Sequence, residues 1–198
     1  TNNGYRLDGN AMSALAGSEQ DANVVYAASS PKLQRPHIYR TANGGNTWRQ
    51  ITRDLPDRFP TDLAVDPNND LIAYVTFGGF ETSHVFRTEN GGESWEDIGQ
   101  NLPDIPTWSI TVNPNNSSHL FVGNEIGVYQ SVDSGKNWQN INGNLPDAVF
   151  AIDLIISRSN NKLRLATHGN GAYEIDINQL TNIEAVSYTH LRAHETSD

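Results

Sequence analysis

The chain has 198 residues and carries 13 lysine and arginine residues against 23 aspartate and glutamate residues, for a net charge of −10. A surface this acidic does not attract phosphate backbones or anionic lipids, so we expect no nucleic acid partner. The chain has no cysteine and no apolar run of bilayer length, which excludes disulfides, thiol nucleophiles, zinc–thiolate sites and transmembrane helices. We therefore expect no membrane insertion.

One eight-residue pattern occurs three times along the chain. It has the form [S/T]-x-[D/N]-x-G-x-[S/T/N]-W, and we call its copies box 1 (residues 41–48), box 2 (88–95) and box 3 (131–138). A Leu-Pro-Asp segment begins seven residues after the tryptophan of each box. A turn with the sequence Asp/Asn-Pro-Asn-Asn precedes boxes 2 and 3. Several landmarks in one register indicate a repeat of about 45 residues.

Each repeat is interpreted as four short strands. In the third unit the strands are predicted at residues 108–112, 119–122, 127–131 and 138–141, with turns rich in glycine, asparagine and proline between them. No segment keeps the apolar period of a helix over three turns. Four strands in about 45 residues are typical of a β-propeller blade, so the predicted fold class is an all-β propeller with about four four-stranded blades.

The propeller region is predicted to span residues 1–178. Its blades are predicted near residues 11–60, 61–106, 107–149 and 150–177. The fourth unit has no box and ends after three strands, and Tyr5-Arg6-Leu7 is a candidate for its missing outer strand. We expect the blades to be part of a larger propeller, so that further blades of a parent chain would be their partners.

The last 20 residues, 179–198, are predicted to be a tail outside the repeat. From about residue 186 this tail resembles translated vector sequence. His190 and His194 have the i, i+4 spacing of a metal site on a helix, but they belong to this tail and are discounted.

The residues that recur in the boxes are predicted to be structural. The asparagine or aspartate can accept backbone N–H bonds, the glycine allows a positive φ, and a threonine or serine hydroxyl can tie down the turn. The tryptophan is expected to pin the hairpin onto its own blade. Asparagine replaces aspartate in two boxes, which disfavours a metal, and no cofactor is predicted. These structural residues are Thr41, Asn43, Gly45, Trp48, Thr88, Asn90, Gly92, Trp95, Ser131, Asp133, Gly135 and Trp138.

The boxes resemble the Asp-box (BNR) repeats of sialidase-like, sortilin-like and xyloglucanase-type β-propellers. The closing segment 165–175 resembles bacterial secreted proteins of this kind, and the resemblance covers about residues 11–177. It implies an extracellular or cell-surface location and a ligand site in the loops of the propeller's central face. We therefore expect a module that binds protein or glycan, or acts as a scaffold, rather than an enzyme.

The alternative is a fragment of a glycoside hydrolase of the xyloglucanase or sialidase type. Xyloglucanase-type enzymes carry an acidic residue in the turn between the second and third strands of a blade. Glu125 occupies that position here and is the catalytic candidate. In those enzymes the second carboxylate comes from a second propeller, and the Arg-Ile-Pro motif of sialidases is absent from this chain. A third option is an assembly factor like the photosystem-linked propellers.

Aromatic and imidazole side chains in the same loops are candidates for ligand contact, because such rings stack on sugar faces and anchor protein interfaces. The candidates are Phe77, Phe80, Trp108 and His168. Packing is the other interpretation of the two phenylalanines, and Trp108 can instead open an inner strand. Arg40 and Arg87 each directly precede a box and are interpreted as strand residues with solvated head groups.

Overall fold

Four antiparallel sheets follow one another along the chain in a computed structural model that describes residues 7, 9–143, 145–146 and 149–180. Three sheets have four strands and the last has three, and in each sheet the spatial order of the strands is their order along the chain. Each sheet is therefore a meander of the kind predicted for a blade. We number the blades 1 to 4 in chain order.

The strand bounds follow the repeat. Blade 1 contains β1 (Met12–Gly17), β2 (Val24–Ser29), β3 (Ile38–Ala42) and β4 (Arg49–Gln50). Blade 2 contains β5 (Pro60–Asp66), β6 (Asn69–Phe77), β7 (Val85–Thr88) and β8 (Glu96–Asp97). Blade 3 contains β9 (Thr107–Val112), β10 (Leu120–Asn124), β11 (Gly127–Ser131) and β12 (Gln139–Asn140). Blade 4 contains β13 (Ala151–Ser157), β14 (Lys162–Thr167) and β15 (Ala172–Asp176).

Three apolar clusters fill the spaces between successive blades. The cluster between blades 1 and 2 joins Tyr26 and Ile51 to Leu63, and equivalent clusters join blade 2 to blade 3 and blade 3 to blade 4. The first strands of successive blades pack on one another, β1 on β5, β5 on β9 and β9 on β13. The blades thus share their cores face to face, with their first strands innermost.

Every first strand contains a β-bulge near its start. The extra residue is Ser13 in blade 1, Thr61 in blade 2, Trp108 in blade 3 and Ile152 in blade 4. A bulge leaves backbone groups outside the ladder of its own sheet, where they can bond to a neighbour. The repeat pattern did not predict these bulges, because one extra residue hardly disturbs a short alternation of apolar and polar residues.

The three boxes form the same hydrogen-bonded turn. In box 2, the Thr88 hydroxyl oxygen accepts the Gly92 N–H at 2.9 Å, and Asn90 Oδ1 accepts the Ser94 N–H at 3.0 Å. Boxes 1 and 3 repeat both bonds at 2.8–3.0 Å. In box 3 the side chain of Asn137 donates to Asp133, which lowers the pKa of that carboxyl. The whole network lies within eight residues, so local chemistry is enough to form it.

The tryptophans of boxes 2 and 3 bind the preceding blade, which corrects for these two the expectation that each pins its hairpin to its own blade. Trp95 Nε1 donates to the Ile51 carbonyl of blade 1 at 2.8 Å, and Trp138 Nε1 donates to the Ile98 carbonyl of blade 2 at 2.6 Å. Each acceptor lies three residues after the tryptophan of its own box. The indole therefore connects two sheets rather than two strands of one sheet.

The box glycines make room for the same contact. A Cβ on Gly92 would lie 2.4 Å from Ile51 Cδ1, and one on Gly135 would lie 2.6 Å from Ile98 Cδ1. Their φ angles of 86° and 93° are also in the region that favours glycine. Glycine is thus needed both for the turn and for the approach of the isoleucine.

The arginines before boxes 1 and 2 are not solvated strand residues, so that interpretation is wrong. Arg40 Nε donates to the Tyr26 hydroxyl at 3.1 Å, and this hydroxyl donates to the Asp70 carbonyl of blade 2 at 2.8 Å. Only 15% of the Arg87 side chain is exposed, and Arg87 pairs across the strands with Tyr74, whose pKa burial raises to about 12. Arg40 thus belongs to the contact between blades 1 and 2, whereas Arg87 packs within blade 2 and pairs with Glu89.

Blade 4 has a one-turn helix, α1 (Ile177–Leu180), after its third strand. Ile177 and Leu180 are buried in the cluster shared with blade 3. Of the predicted outer strand Tyr5-Arg6-Leu7, only Leu7 is among the described residues, and residues 181–198 of the predicted tail lie outside them. The described part of the chain has no helix long and apolar enough to cross a membrane.

Candidate functional site

The meander topology gives the molecule two dissimilar faces. We define the upper face as the one where each first strand begins and where the second and third strands are connected. The lower face carries the turns between first and second strands, together with the boxes. All the ligand candidates from the sequence therefore belong to the upper face or its edge, and all the box residues to the lower one.

The polar groups of the lower face are used in contacts between blades. The Gln20 amide donates to the Pro67 carbonyl at 2.7 Å, the Asn68 amide to the Ser117 hydroxyl at 3.1 Å, and the Asn115 amide to Asn161 Oδ1 at 3.4 Å. An ion pair between Arg158 of blade 4 and Glu19 of blade 1 joins the first and last of these turns. The lower turns thus hold the blades together.

The upper face, in contrast, exposes aromatic side chains. Among the described residues, both exposed phenylalanines, Phe59 and Phe80, are here, and Phe80 is 58% exposed. Phe77 is only 1% exposed and packs edge-on against Phe86 at 5.7 Å between ring centroids. Of the two candidate phenylalanines, Phe80 is available to a ligand, whereas Phe77 belongs to the core.

The loop that carries Phe80 is held by a Leu-Pro-Asp segment. Both carboxylate oxygens of Asp104 accept the Glu81 N–H at 2.9 Å, and one lies 3.0 Å from His84 Nε2. The bond from Glu81 and then the bond with His84 lower the pKa of Asp104. Glu81 has a φ of 58°, which is rare outside glycine, so this clamp stabilises a strained turn. The loop therefore presents Phe80 from a fixed backbone.

Three rings form a row at the junction of blades 3 and 4. Trp108 and Phe150 are 5.4 Å apart between centroids, and Phe150 and His168 are 5.7 Å apart. Trp108 and Phe150 are partly exposed, and His168 is exposed. The structure thus brings two of the sequence candidates together through Phe150, which the sequence analysis missed. Phe150 and Phe59 each directly precede a first strand, and this equivalence in the repeat could have identified them.

Three buried polar atoms beside this row have no hydrogen-bond partner among the described residues. They are Trp108 Nε1, Ser109 Oγ and Asn124 Nδ2, all at the bulged start of β9 or on the strand next to it. Buried polar groups are normally paired with protein, water or a ligand. This corner of the upper face therefore has unused hydrogen-bonding capacity next to an aromatic surface.

Glu125 lies partly buried in the tight turn that follows β10. Asn124 Oδ1 accepts the Ile126 N–H at 3.0 Å, and Asn142 clamps the turn by accepting the Val128 N–H and donating to the Ile126 carbonyl, both at 2.7 Å. The turn that holds the catalytic candidate is therefore well ordered by its neighbours.

Asp62, which the sequence analysis did not single out, has the most perturbed carboxyl group near the upper face. Burial raises its pKa to about 6, against the opposing effect of N–H bonds from Ile110 and Leu63, and the nearby charge of Asp153 raises it further. The bonds are 2.9 Å and 2.8 Å long. The signal that could have found it is an aspartate inside the predicted strand, directly before the apolar segment 63–65.

We predict that the stabilities of the chain and of Asp62→Asn depend differently on pH. The folded state keeps the Asp62 proton up to about pH 6, while the unfolded state releases it near pH 3.8. The stability advantage of the chain over the variant should fall by on the order of 2 kcal/mol as pH rises from 4 to 6. Urea unfolding of both proteins at several pH values measures this difference in unfolding free energy. A difference that stays constant over this range would contradict the raised pKa.

No group of three or more histidine, aspartate or glutamate side chains suited to a metal ion occurs in the part of the chain that the structure describes. The candidate site consists of exposed aromatic side chains and single carboxyl groups, and the unpaired polar atoms of Trp108, Ser109 and Asn124 lie buried beside them. Such a surface can bind the faces of sugar rings or the side chains of a peptide.

The family model described as Sortilin, neurotensin receptor 3 (Sortilin-Vps10) matches residues 36–190 of the chain. None of the curated proteins compared with it is similar enough to count as a match.

Solved β-propeller structures share the fold. A GH74 enzyme from Niastella koreensis aligns with a TM-score of 0.67 and 20% identity, covering 84% of this chain and 29% of that one. A nidogen/laminin complex contains a chain with a TM-score of 0.65 and 16% identity, covering 83% and 60%. YCF48 bound to a D1 peptide aligns with a TM-score of 0.60 and 19% identity, and the alignment covers 86% of this chain and 53% of that one. These similarities confirm the predicted all-β propeller class, and the chain spans less than two thirds of each of these structures.

Proposed function

This chain belongs to the Sortilin-Vps10 family, and from that premise we propose that it is a binding module that holds a protein or glycan ligand on the upper face of its propeller. The observation that carries the proposal is the contrast between the faces. The lower turns use their polar groups to join the blades, whereas the upper face exposes Phe59, Phe80 and the row Trp108–Phe150–His168. Exposed aromatic groups on a rigid frame are typical anchors of recognition.

Two of the similar structures support this proposal because each is described as a complex with a peptide or a protein. One is YCF48 with a D1 peptide, and the other is a nidogen/laminin complex. The similarity of these chains is one of fold, so the identity of a ligand has to come from binding measurements.

Binding to glycan and peptide arrays tests the proposal. We expect Phe80→Ser to weaken binding of the array ligands at least tenfold, because loss of an aromatic hot-spot residue typically costs about 2 kcal/mol or more and a tenfold change corresponds to about 1.4 kcal/mol. Val132→Ser is the matched control, since Val132 is a comparably exposed apolar residue on the lower face. Equal losses in both variants, or no loss in either, would contradict the assignment to the upper face.

Glycoside hydrolysis is the second candidate function, and one observation favours it. The raised pKa of Asp62, to about 6, is a property of a general acid, and the charge of Asp153 contributes to the shift. Release of reducing sugar from xyloglucan and sialylated glycans measures this activity. Turnover that is lost in Asp62→Asn or Glu125→Gln would favour the hydrolase. A chain that binds glycans without turnover would favour the binding module.

We also propose that the module acts outside the cytoplasm and within a larger propeller. The resemblance of the boxes to secreted propellers supports the location, and the partial coverage of each similar structure supports the larger ring. Fractionation of the source cells, followed by immunoblotting for this chain and its apparent mass, tests both points. Detection of the protein in the cytoplasm would contradict the proposed location. An apparent mass near 21.8 kDa would contradict the proposed larger propeller.

A further inference from the structure

Asparagine followed by glycine marks the positions at which a side-chain amide is lost most readily. The backbone nitrogen of the glycine attacks the asparagine Cγ, and glycine has no side chain to hinder the conformational change that this needs. The described part of the chain has four such pairs, each in a connection between strands, and a fifth pair, Asn3-Gly4, lies outside it. The four are Asn43-Gly44, Asn90-Gly91, Asn142-Gly143 and Asn170-Gly171.

The pairs in boxes 1 and 2 are held at both reacting groups. Asn90 Oδ1 accepts the Ser94 N–H at 3.0 Å, and the Asn90 amide donates to the Ser94 hydroxyl at 2.9 Å. The Gly91 N–H donates to the Leu71 carbonyl at 2.9 Å. Box 1 repeats all three bonds at 2.8–3.0 Å. Both the attacking nitrogen and the carbon that it would attack are therefore restrained in these two turns.

The side chain of Asn142 is fixed as well. Its Oδ1 accepts the Val128 N–H and its Nδ2 donates to the Ile126 carbonyl, both at 2.7 Å. The same amide fills the space beside Gly127, where an added Cβ would overlap it. Rotation of this amide toward the nitrogen of Gly143 would therefore break two hydrogen bonds and open a packed turn.

The pair Asn170-Gly171 lacks both restraints. Among the described residues, the Asn170 side chain has no hydrogen-bond partner and the Gly171 N–H has no acceptor. Both residues are exposed, and a Cβ added to Gly171 would meet no atom within 4 Å. The base of the loop is fixed, because the Gly171 carbonyl accepts the Thr167 N–H at 3.1 Å and the Thr167 hydroxyl at 2.6 Å. The loop tip can thus rearrange without disturbing the sheet.

We propose that Asn170 is a deamidation site on the upper face. The Gly171 nitrogen attacks Asn170 Cγ to close a succinimide ring, its proton passes through water to Nδ2, and the Cγ–Nδ2 bond breaks to release ammonia. Water then adds to either ring carbonyl and opens the ring to aspartate or isoaspartate. Either product replaces a neutral amide with a carboxylate two residues from His168, at the end of the aromatic row. The proposal is independent of which ligand the upper face binds.

Peptide mapping by mass spectrometry, during incubation of the folded chain at mildly alkaline pH, tests the proposal. We expect Asn170 to lose its amide at least tenfold faster than the other three asparagines. Those three must first break hydrogen bonds, and an opening free energy of about 1.4 kcal/mol already slows such a reaction tenfold. An isoaspartate-specific methyltransferase should label the peptide that contains Asn170 in the aged chain, because only ring opening of a succinimide yields isoaspartate there.

The chain unfolded in guanidinium chloride is the control, since all four pairs should deamidate there at similar rates. Asn170→Gln should abolish the fast reaction, because the longer side chain closes its ring far more slowly. An Asn170 amide that survives as long as the other three in the folded chain would overturn the proposal. Equal loss at all four pairs would also overturn it, because the reaction would then proceed through global unfolding. Loss of the Asn170 amide without isoaspartate would replace ring closure by direct hydrolysis.

Discussion

Gly92→Ala should lower the free energy of unfolding by about 3 kcal/mol, whereas Gly45→Ala, at the same position of box 1, should cost about 1 kcal/mol. Both glycines have nearly the same φ, 86° and 85°, so both variants carry the strain of a left-handed alanine. The two variants differ in the distance from the added methyl group to its nearest neighbouring atom. It would lie 2.4 Å from Ile51 Cδ1 at Gly92, but 3.6 Å from its nearest neighbour at Gly45.

Equilibrium unfolding in urea, followed by circular dichroism, measures the two changes. The difference between them isolates the packing of box 2 on blade 1 from the conformation of the turn. Equal losses would mean that strain alone explains the requirement for glycine and that the approach of Ile51 is not tight.

Trp138→Ala should cost about 4 kcal/mol, and Trp48→Ala about 1 kcal/mol. Trp138 is 4% exposed and its indole donates to the Ile98 carbonyl at 2.6 Å, so truncation leaves a cavity and an unpaired carbonyl between blades 2 and 3. Trp48 occupies the same position of its box, but it is partly exposed and its indole has no hydrogen-bond acceptor among the described residues. The loss of unfolding free energy is therefore determined by how deeply the tryptophan is buried against a neighbouring sheet, not by the sequence of its box.

The same unfolding assay applies, and Trp138→Phe separates two contributions. This variant keeps most of the buried area but removes the N–H, so it should cost about 1–2 kcal/mol. If Trp48→Ala is as damaging as Trp138→Ala, the indole stabilises its own hairpin and the contact between blades is unimportant.

The repeat explains why so much of the fold could be predicted. Glycine, proline and asparagine mark each turn, and the side chains of Thr88 and Asn90 bond to groups within their own octapeptide. The apolar strands between these turns then have few ways to pair other than as meanders.

The candidate site was predicted less completely. Phe80, Trp108 and His168 were found because loops that carry rings are visible in a sequence. Phe150 was missed because its importance comes from the two rings it lies between, and Asp62 was missed because its raised pKa comes from burial and from Asp153, 91 positions along the chain. Phe77 looked equivalent to Phe80, and only its packing against Phe86 shows that it is a core residue.

The amino-acid sequence by itself therefore determined the units of this protein, namely the four meanders, their turns and the boxes, because these depend on contacts among neighbours along the chain. Only the tertiary structure decided how the units join. The indole of Trp95 reaches Ile51, 44 residues away, and which sheet it meets depends on how whole blades stack rather than on any local pattern. The same stacking exposes Leu15 and buries Leu63, although the two leucines occupy equivalent positions.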